Sequence, residues 1–236
     1  MSKKFSIIFP TRERIELLTD LLNSIDQTTS DKDNIEVLIA VDADDFPTQK
    51  RLLKIINAGY HWIQIHVVHR SLNFSRDYYT YLYTKSTGKW IIVCNDDCQF
   101  LTPNWDVEVE KTLNDFIGTG PNIVLGWIED HLGQYRYTHI ADYCCFPLLG
   151  RDGVEAFHYI FPDRIPTWGA DCWAQKLYSN VDKIIKIPME IKHISHHNKL
   201  RPIDGIAERI AKNQVHYNLE PTYDEINTLI RACRHG

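Results

Sequence analysis

Short apolar segments alternate with segments of helical periodicity over the first hundred residues of the chain. The apolar segments are residues 5–9, 35–41, 62–68 and 90–94, and helix-compatible spacing follows the first three of them, as in Ile15, Leu18, Leu21, Leu22 and Ile25. Strands that are apolar throughout and are joined by amphipathic helices form βαβ units. We therefore predict an α/β fold, with a mainly parallel Rossmann-like sheet and helices on both faces.

The second half of the chain has shorter apolar runs, at residues 123–127, 135–140 and 143–149, and it is richer in glycine and aromatic residues. Helical spacing returns at 203–213 and 223–233. No Pro/Gly/Ser-rich linker separates the halves. We therefore predict one domain over residues 1–236, in which a regular half, 1–100, is followed by a mixed half, 101–236.

Composition and the N-terminal segment narrow the possible partners and the cellular compartment of the protein. Lys and Arg total 26 against 31 Asp and Glu, so the formal charge is -5 and a nucleic-acid partner would need a local basic patch. The N-terminal apolar run is too short for a signal peptide or a membrane span, which predicts a cytoplasmic protein with no integral membrane segment. Six cysteines without a CxxC pair predict reduced thiols.

Polar side chains follow three of the predicted strands, where ligands bind in parallel α/β sheets. These residues are Thr11 and Arg12, then Asp42 and Asp44, then Asn95, Asp96 and Asp97. No G-x-G-x-x-G or P-loop pattern is present, so a phosphate ligand would need a bridging cation. Mn²⁺ or Mg²⁺ held by Asp97, with Asp96 as a second candidate, meets that need. The alternative is that Asp96 and Asp97 begin a solvated turn.

The segments FSIIFPTRER, IEVLIAVDADD and NFSRDYYTYLYTKSTGKWIIVCNDD resemble the family 2 glycosyltransferases, which have the GT-A nucleotide-sugar transferase fold. The resemblance is good over residues 5 to 100 and loose beyond them. It implies a nucleotide-sugar-binding half, 1–100, and an acceptor-side half, 101–236. It also implies donor-binding roles for these residues: Pro10, Thr11 and Arg12 at the nucleotide, Asp42 or Asp44 at the base, and Asn95 and Asp96 in the D-x-D motif.

Two residues qualify this resemblance. Asn95 replaces the first Asp of the D-x-D motif, and an amide oxygen accepts hydrogen bonds without adding charge, so Asp97 becomes the principal metal ligand. Arg76 stands where the family often has an Arg that could face the diphosphate, for which a planar fork of donors is suited. The alternative for Arg76 is a surface ion pair with Asp77.

The segment PTWGADCWAQ places Asp171 where inverting members of the family carry the acid that deprotonates the acceptor hydroxyl. The alternative is that Asp171 is the N-cap of an apolar helix. Glu129 and Asp130, in GWIEDH, are reserve candidates for the base.

The segment KHISHHNK contains His193, His196 and His197. A downstream histidine often completes the metal site in this family, and we assign that role to His196 and His197, with His193 as a further candidate. The spacing does not match a zinc pattern, and the alternative is a surface cluster of neutral histidines.

The resemblance implies a metal-dependent, inverting glycosyltransferase that moves a hexosyl or pentosyl group from a nucleotide-sugar, with a UDP-sugar favoured, to an acceptor hydroxyl. The alternative is a nucleotidyltransferase-like enzyme or a nucleotide-binding protein on a related sheet. The acceptor stays open among a glycan, a protein, a small molecule and a modified nucleic-acid base. The nucleic-acid alternative depends on a basic strip, which would otherwise be a solvated face: Lys192, Lys199, Arg201, Arg209 and Lys212.

Overall fold

The computed structural model describes residues 3–131, 144–194, 204–212 and 217–235. Within these ranges eight strands form one sheet. The strands are β1 Phe5–Thr11, β2 Ile35–Asp42, β3 Ile63–Val68, β4 Trp90–Val93, β5 Cys98–Phe100, β6 Leu125–Asp130, β7 Pro147–Gly150 and β8 Ile184–His193. The helices are α1 Ile15–Thr28, α2 Phe46–Asn57, α3 Tyr81–Lys85, α4 Trp105–Ile117, α5 Arg151–Glu155, α6 Ala170–Ser179, α7 Gly205–Lys212 and α8 Tyr223–His235. A π-helical turn, Ser75–Thr80, leads into α3.

The strand order in the sheet is β3-β2-β1-β4-β7-β6-β8-β5. The pairs β2–β3, β1–β2, β1–β4 and β6–β8 are parallel, whereas β4–β7, β6–β7 and β5–β8 are antiparallel. The predicted α/β class with a mainly parallel sheet is therefore confirmed, and the antiparallel pairs lie in the part of the sheet built from later strands.

Helices pack on both faces of the sheet because successive residues of each central strand point in opposite directions. In β1, Phe5, Ile7 and Phe9 join a core cluster with residues of α1, α2 and α4. Ile8 points the other way and joins a second cluster with residues of α3, α6 and α8. Both faces of β1 are thus buried against helices, which explains its continuous apolar sequence.

Strand β1 continues through Pro10 to Thr11, two residues beyond the predicted end. Pairing of β1 with β4 ends at Ile8, whose carbonyl accepts from Cys94 N–H, whereas pairing with β2 continues to Thr11. Backbone groups two residues apart point to the same side of a strand, so the missing N–H of Pro10 faces the side that β4 has already left. Proline therefore costs this strand no ladder hydrogen bond.

The second half differs more from the predicted pattern. Strand β6 overlaps the apolar run at 123–127 and strand β7 overlaps the run at 143–149. The apolar run at 135–140 lies outside the described residues. Strand β8 was not predicted. Its alternating pattern points Ile187, Met189, Ile191 and His193 inward, and this puts a histidine on the buried face at the end of the strand.

All six cysteines lie in described ranges as free thiols; four of them are buried, whereas Cys145 and Cys233 are only partly buried. Among the described residues, no helix has both the length and the apolar character needed to cross a bilayer.

Candidate active site

The adjacent carboxylates after β4 lie in buried positions, and a positive side chain reaches them. Thr11 Oγ1 donates to Asp96 Oδ2 at 2.8 Å, and Arg14 Nη1 donates to Asp96 Oδ1 at 2.7 Å. Burial raises the pKa of Asp96 above its ordinary value, and the guanidinium of Arg14 opposes that shift. Both oxygens of Asp96 are therefore engaged by the loop that follows β1, and the solvated-turn alternative is wrong because Asp96 and Asp97 are buried.

Asp97 lies between Arg14 and His193. Its Oδ2 is 3.9 Å from Arg14 Nη1, and its Oδ1 is 3.3 Å from His193 Nε2. The β5–β8 pairing explains this contact, because Cys98 is opposite His193 and Ile194 N–H donates to the Asp97 carbonyl at 2.7 Å. A residue near the C-terminal end of β8 is thus brought to the end of β4.

His193 is the histidine of the KHISHHNK segment that the structure places at the carboxylates. Its Nδ1 is 4.0 Å from Asp130 Oδ2 and 3.9 Å from Cys145 Sγ, and its ring packs edge-on against Phe146. The two histidines assigned to the metal, His196 and His197, lie outside the described residues, so their assignment stays a prediction.

Asn95, the departure from the D-x-D pattern, is held by a tyrosine. Tyr79 Oη donates to Asn95 Oδ1 at 2.8 Å and to the Cys94 carbonyl at 3.2 Å. Burial, followed by the charges of Cys94, Asp171, Asp96 and Asp97, raises the pKa of Tyr79 well above its ordinary value. Tyr79 therefore remains a hydrogen-bond donor and fixes the orientation of the Asn95 amide.

A second cluster of charges forms where β1 and β2 end. Arg12 Nη1 donates to Asp42 Oδ2 at 3.1 Å, and both guanidinium nitrogens of Arg12 bond to the Asp44 carboxylate, which lowers the pKa of Asp44. Tyr78 Oη donates to Asp42 Oδ1 at 2.6 Å. The structure thus brings together Arg12, Asp42 and Asp44, as expected for residues at the carboxyl ends of neighbouring parallel strands.

Glu13 separates the two arginines of the loop and has left-handed backbone geometry, with φ 54°. Its N–H donates to Asp45 Oδ2 at 2.7 Å, which anchors the loop to the start of α2. On either side of Glu13, Arg12 bonds to the carboxylates after β2, whereas Arg14 bonds to those after β4. A non-glycine residue in this region carries backbone strain, here at the junction of the two clusters.

Arg76 lies away from both clusters. Its side chain is 57% exposed and forks onto the neighbouring Asp77, with Nε donating to Oδ1 at 2.7 Å. This is the surface ion pair that was raised as the alternative, and contact with a diphosphate stays a prediction for Arg76.

Asp171 lies in the first turn of α6, but it is not the N-cap. The N-cap is Gly169, with φ 92°, where an added Cβ would lie 2.8 Å from Leu219 Cδ2. Asp171 Oδ1 instead accepts from Cys172 N–H at 2.9 Å. The alternative that Asp171 is the N-cap is therefore wrong, because the N-cap lies two residues earlier, at Gly169. Of the reserve bases, Glu129 is exposed, whereas Asp130 lies beside His193.

Arg14 and Asp204 are functional candidates that were missed from the sequence. Arg14 forks onto Asp204, which immediately precedes α7, with Nε···Oδ2 at 2.8 Å and Nη2···Oδ1 at 3.1 Å. Burial disfavours the charge on Arg14, but Asp96, Asp204 and Asp97 outweigh burial and raise its pKa. No local pattern links residue 14 to residue 204, so only the fold could reveal the pair.

The basic strip is only partly described. Arg209 Nη2 donates to the Ser71 carbonyl at 3.3 Å, and Lys212 Nζ lies 4.0 Å from Glu208 Oε2. Lys199 and Arg201 lie outside the described residues.

The donors at the end of β4 are suited to a divalent ion. Asp97 and His193 supply one oxygen and one nitrogen. Within the described ranges no third His, Cys, Asp or Glu residue completes a cluster of three protein ligands. Mg²⁺ and Mn²⁺ accept such sparse protein donor sets and take their remaining ligands from water and phosphate oxygens. The residues present therefore fit a cation that is shared with a diphosphate.

Comparison with models of known protein families identifies the family of this chain. The model for glycosyl transferase family 2 matches residues 6–153, which is more than half of the chain. The chain belongs to glycosyl transferase family 2. This confirms the predicted family and the predicted enzyme class, a glycosyltransferase. A comparison with curated protein sequences gave no significant match.

Solved structures confirm the GT-A fold. A mannosyltransferase from Pyrobaculum calidifontis, PcManGT, in complex with GDP-Man and Mn²⁺, has a TM-score of 0.61 at 14% identity, over 79% of this chain and 55% of that one. S. aureus TarS 1-349 in complex with UDP has a TM-score of 0.59 at 15% identity, over 79% and 60%. GalNAc-T7 with UDP, GalNAc and Mn²⁺ has a TM-score of 0.60 at 12% identity, over 81% and 44%.

This chain therefore matches only about half of the length of these enzymes. At such identities the likeness shows the shared fold, and substrates do not follow from it.

Proposed function

We propose that the chain is a metal-dependent, inverting glycosyltransferase that moves a sugar from a nucleotide-sugar, with a UDP-sugar favoured, to an acceptor hydroxyl. The observation that carries this proposal is the meeting of Asp97 and His193, 3.3 Å apart, beside the buried Asp96. The nucleotides and Mn²⁺ in the titles of the similar structures support the same kind of donor site.

Asp97 and His193 would hold Mn²⁺ or Mg²⁺. When bound, the ion would offset the negative charge that develops on the leaving nucleoside diphosphate. Thr11 Oγ1 and Tyr79 Oη would keep Asp96 and Asn95 in place beside it, through the 2.8 Å bonds that each donates.

Asp42 and Asp44 would read the nucleotide at the neighbouring strand end. Burial and the hydrogen bond to Asp42 raise the pKa of Tyr78 well above its ordinary value, so Tyr78 stays the donor in this hydrogen bond. A buried carboxylate that is oriented by Tyr78 and Arg12 suits the N–H edge of a uracil base, because that edge needs a fixed acceptor.

Asp171 would act as the general base. Its carboxylate takes the acceptor hydroxyl proton while the acceptor oxygen bonds to the anomeric carbon, and the bond from that carbon to the diphosphate oxygen breaks with inversion. The support is electrostatic: Asp171, Asp96 and Asp97 all raise the pKa of the same tyrosine, Tyr79, so all three carboxylates lie within electrostatic reach of it.

A donor screen followed by product analysis tests this function. We would incubate the protein with Mn²⁺, nucleotide-sugars, and acceptors of the four open classes: glycans, proteins, small molecules and hydroxylated nucleic-acid bases. We expect one nucleotide-sugar to yield nucleoside diphosphate and a product with inverted anomeric configuration by NMR. Release of pyrophosphate from a nucleoside triphosphate would instead support nucleotidyl transfer, and a product of retained configuration would contradict the inverting mechanism.

A further inference from the structure

Arg14 occupies a position that the proposed reaction leaves unexplained. It is an arginine whose side chain is only 14% exposed, and it contacts two carboxylates of the candidate site as well as Asp204. Its Nη1 is 2.7 Å from Asp96 Oδ1 and 3.9 Å from Asp97 Oδ2. A fixed positive charge this close to the ligand of a divalent cation must oppose the binding of that cation.

The contacts of Asp96 show what the positive charge of Arg14 does at the site. Asp96 Oδ1 accepts from Arg14 and Asp96 Oδ2 accepts from Thr11, so the loop after β1 uses both oxygens. Asp97 faces in two directions, with Oδ2 toward Arg14 and Oδ1 toward His193. A metal would therefore meet Asp97 on the side of His193, while the Asp96 carboxylate is engaged by the guanidinium of Arg14.

Asp204 keeps the guanidinium in this position. Two bonds, at 2.8 and 3.1 Å, form the bidentate geometry in which a carboxylate holds an arginine most firmly. Asp204 thus anchors Arg14 through Nε and Nη2, while Nη1 contacts Asp96.

We infer that Arg14 acts as an internal counter-cation that makes metal binding depend on the donor diphosphate. With Arg14 in place, the site offers one carboxylate and one imidazole against a nearby positive charge, so the ion alone is held weakly. The negative charge of a nucleoside diphosphate outweighs that opposition, and ion and donor bind together. This inference rests on the proposed metal site and assigns Arg14 a positioning role within it.

The test is the affinity of the protein for Mn²⁺ alone, measured by electron paramagnetic resonance, in wild type, Arg14→Met and Arg14→Gln. We expect both variants to bind Mn²⁺ about tenfold more tightly or better, because a positive charge is removed in both, and Arg14→Met also uncovers Asp96. Addition of UDP should then raise Mn²⁺ affinity less in the variants than in wild type, because part of the coupling is already lost.

Two further variants separate this role from a structural one. Arg164 forks onto Glu225 at 3.1 and 2.8 Å, away from the metal donors, so Arg164→Met should lower the melting temperature and leave Mn²⁺ affinity unchanged. Asp204→Asn keeps the Arg14 charge but weakens its bidentate anchor, so it should tighten Mn²⁺ binding less than Arg14→Gln does.

Unchanged or weaker Mn²⁺ binding by folded Arg14→Met and Arg14→Gln would overturn the inference. If Arg14→Met fails to fold, Arg14→Gln decides, because its amide can still donate to Asp96 without carrying charge. Absence of Mn²⁺ binding to wild type, with and without UDP, would instead contradict the metal site itself, so the two failures are distinguishable.

Discussion

The two halves of the chain contribute site residues in different ways. In the first half, Thr11, Asp42 and Asp97 each end or closely follow a buried parallel strand, and the topology alone brings them together. In the second half, His193 reaches Asp97 from the last residue of β8, and the proposed base, Asp171, lies in the first turn of α6. The first half therefore supplies its site by a general rule of parallel sheets, whereas the second half supplies it by particular tertiary contacts.

Replacement of Asp97 by Ala tests the contribution of the first half and should have the largest effect. We expect transfer to fall roughly 10³-fold or more, because the principal oxygen ligand of the cation is lost. The fold should persist, because Asp97 lies at a strand end beside polar groups. Circular dichroism and a steady-state transfer assay measure both, and loss of the folded spectrum would mean that Asp97 is mainly structural.

Replacement of Asp171 by Asn tests the second half. The amide keeps the shape of the side chain and can still accept from Cys172 N–H, but it cannot take the acceptor proton. We expect donor affinity and melting temperature to stay near wild type, while transfer falls by about 10² to 10⁴. Wild-type transfer by this variant would exclude Asp171 as the base, and Glu129 and Asp130 would be tested next.

The sequence predicted which first-half polar residues lie at strand ends, because strand ends and the acids adjacent to them are local features. It missed Arg14 because a loop arginine gives no local sign of the buried acids that it contacts. From the sequence, His193 ranked below His196 and His197 as a metal ligand, because the strand alternation that points it inward was not recognised in a stretch that contains Pro188. Asp204 could not be found, since it depends on contacts across 190 positions of the chain.

Replacement of Gly169 by Ala should have a moderate effect on stability and disturb the second-half site. The residue has φ 92°, and a Cβ would lie 2.8 Å from Leu219 Cδ2, so we expect about 2 kcal/mol of destabilisation together with reduced transfer. Gly59→Ala is the matched control in the first half, with φ 111° and no heavy atom within 4 Å of an added Cβ. Equal melting temperatures and equal transfer for the two variants would show that the turn before α6 does not position Asp171.

Replacement of Glu13 by Gly should have the smallest effect. Glycine relieves the strain at φ 54°, and we expect a gain of about 0.5–1 kcal/mol in the free energy of unfolding, measured with urea. Donor affinity should fall if the fixed loop helps to separate Arg12 and Arg14. Glu13→Ala is the control, because it removes the exposed ion pair with Arg12 and retains the strain. A loss of stability in Glu13→Gly would contradict the strain at this position.

The central claim is that residues of both halves, Asp97 and His193, jointly hold a cation that binds the nucleotide. Calorimetric titration of UDP, or of the nucleotide that the donor screen selects, tests it directly in wild type and His193→Ala. We expect wild type to bind the nucleotide with Mn²⁺ and to lose that binding in chelator, and His193→Ala to bind it weakly even with Mn²⁺. Undiminished nucleotide binding by wild type in chelator, or wild-type affinity in His193→Ala, would contradict the account.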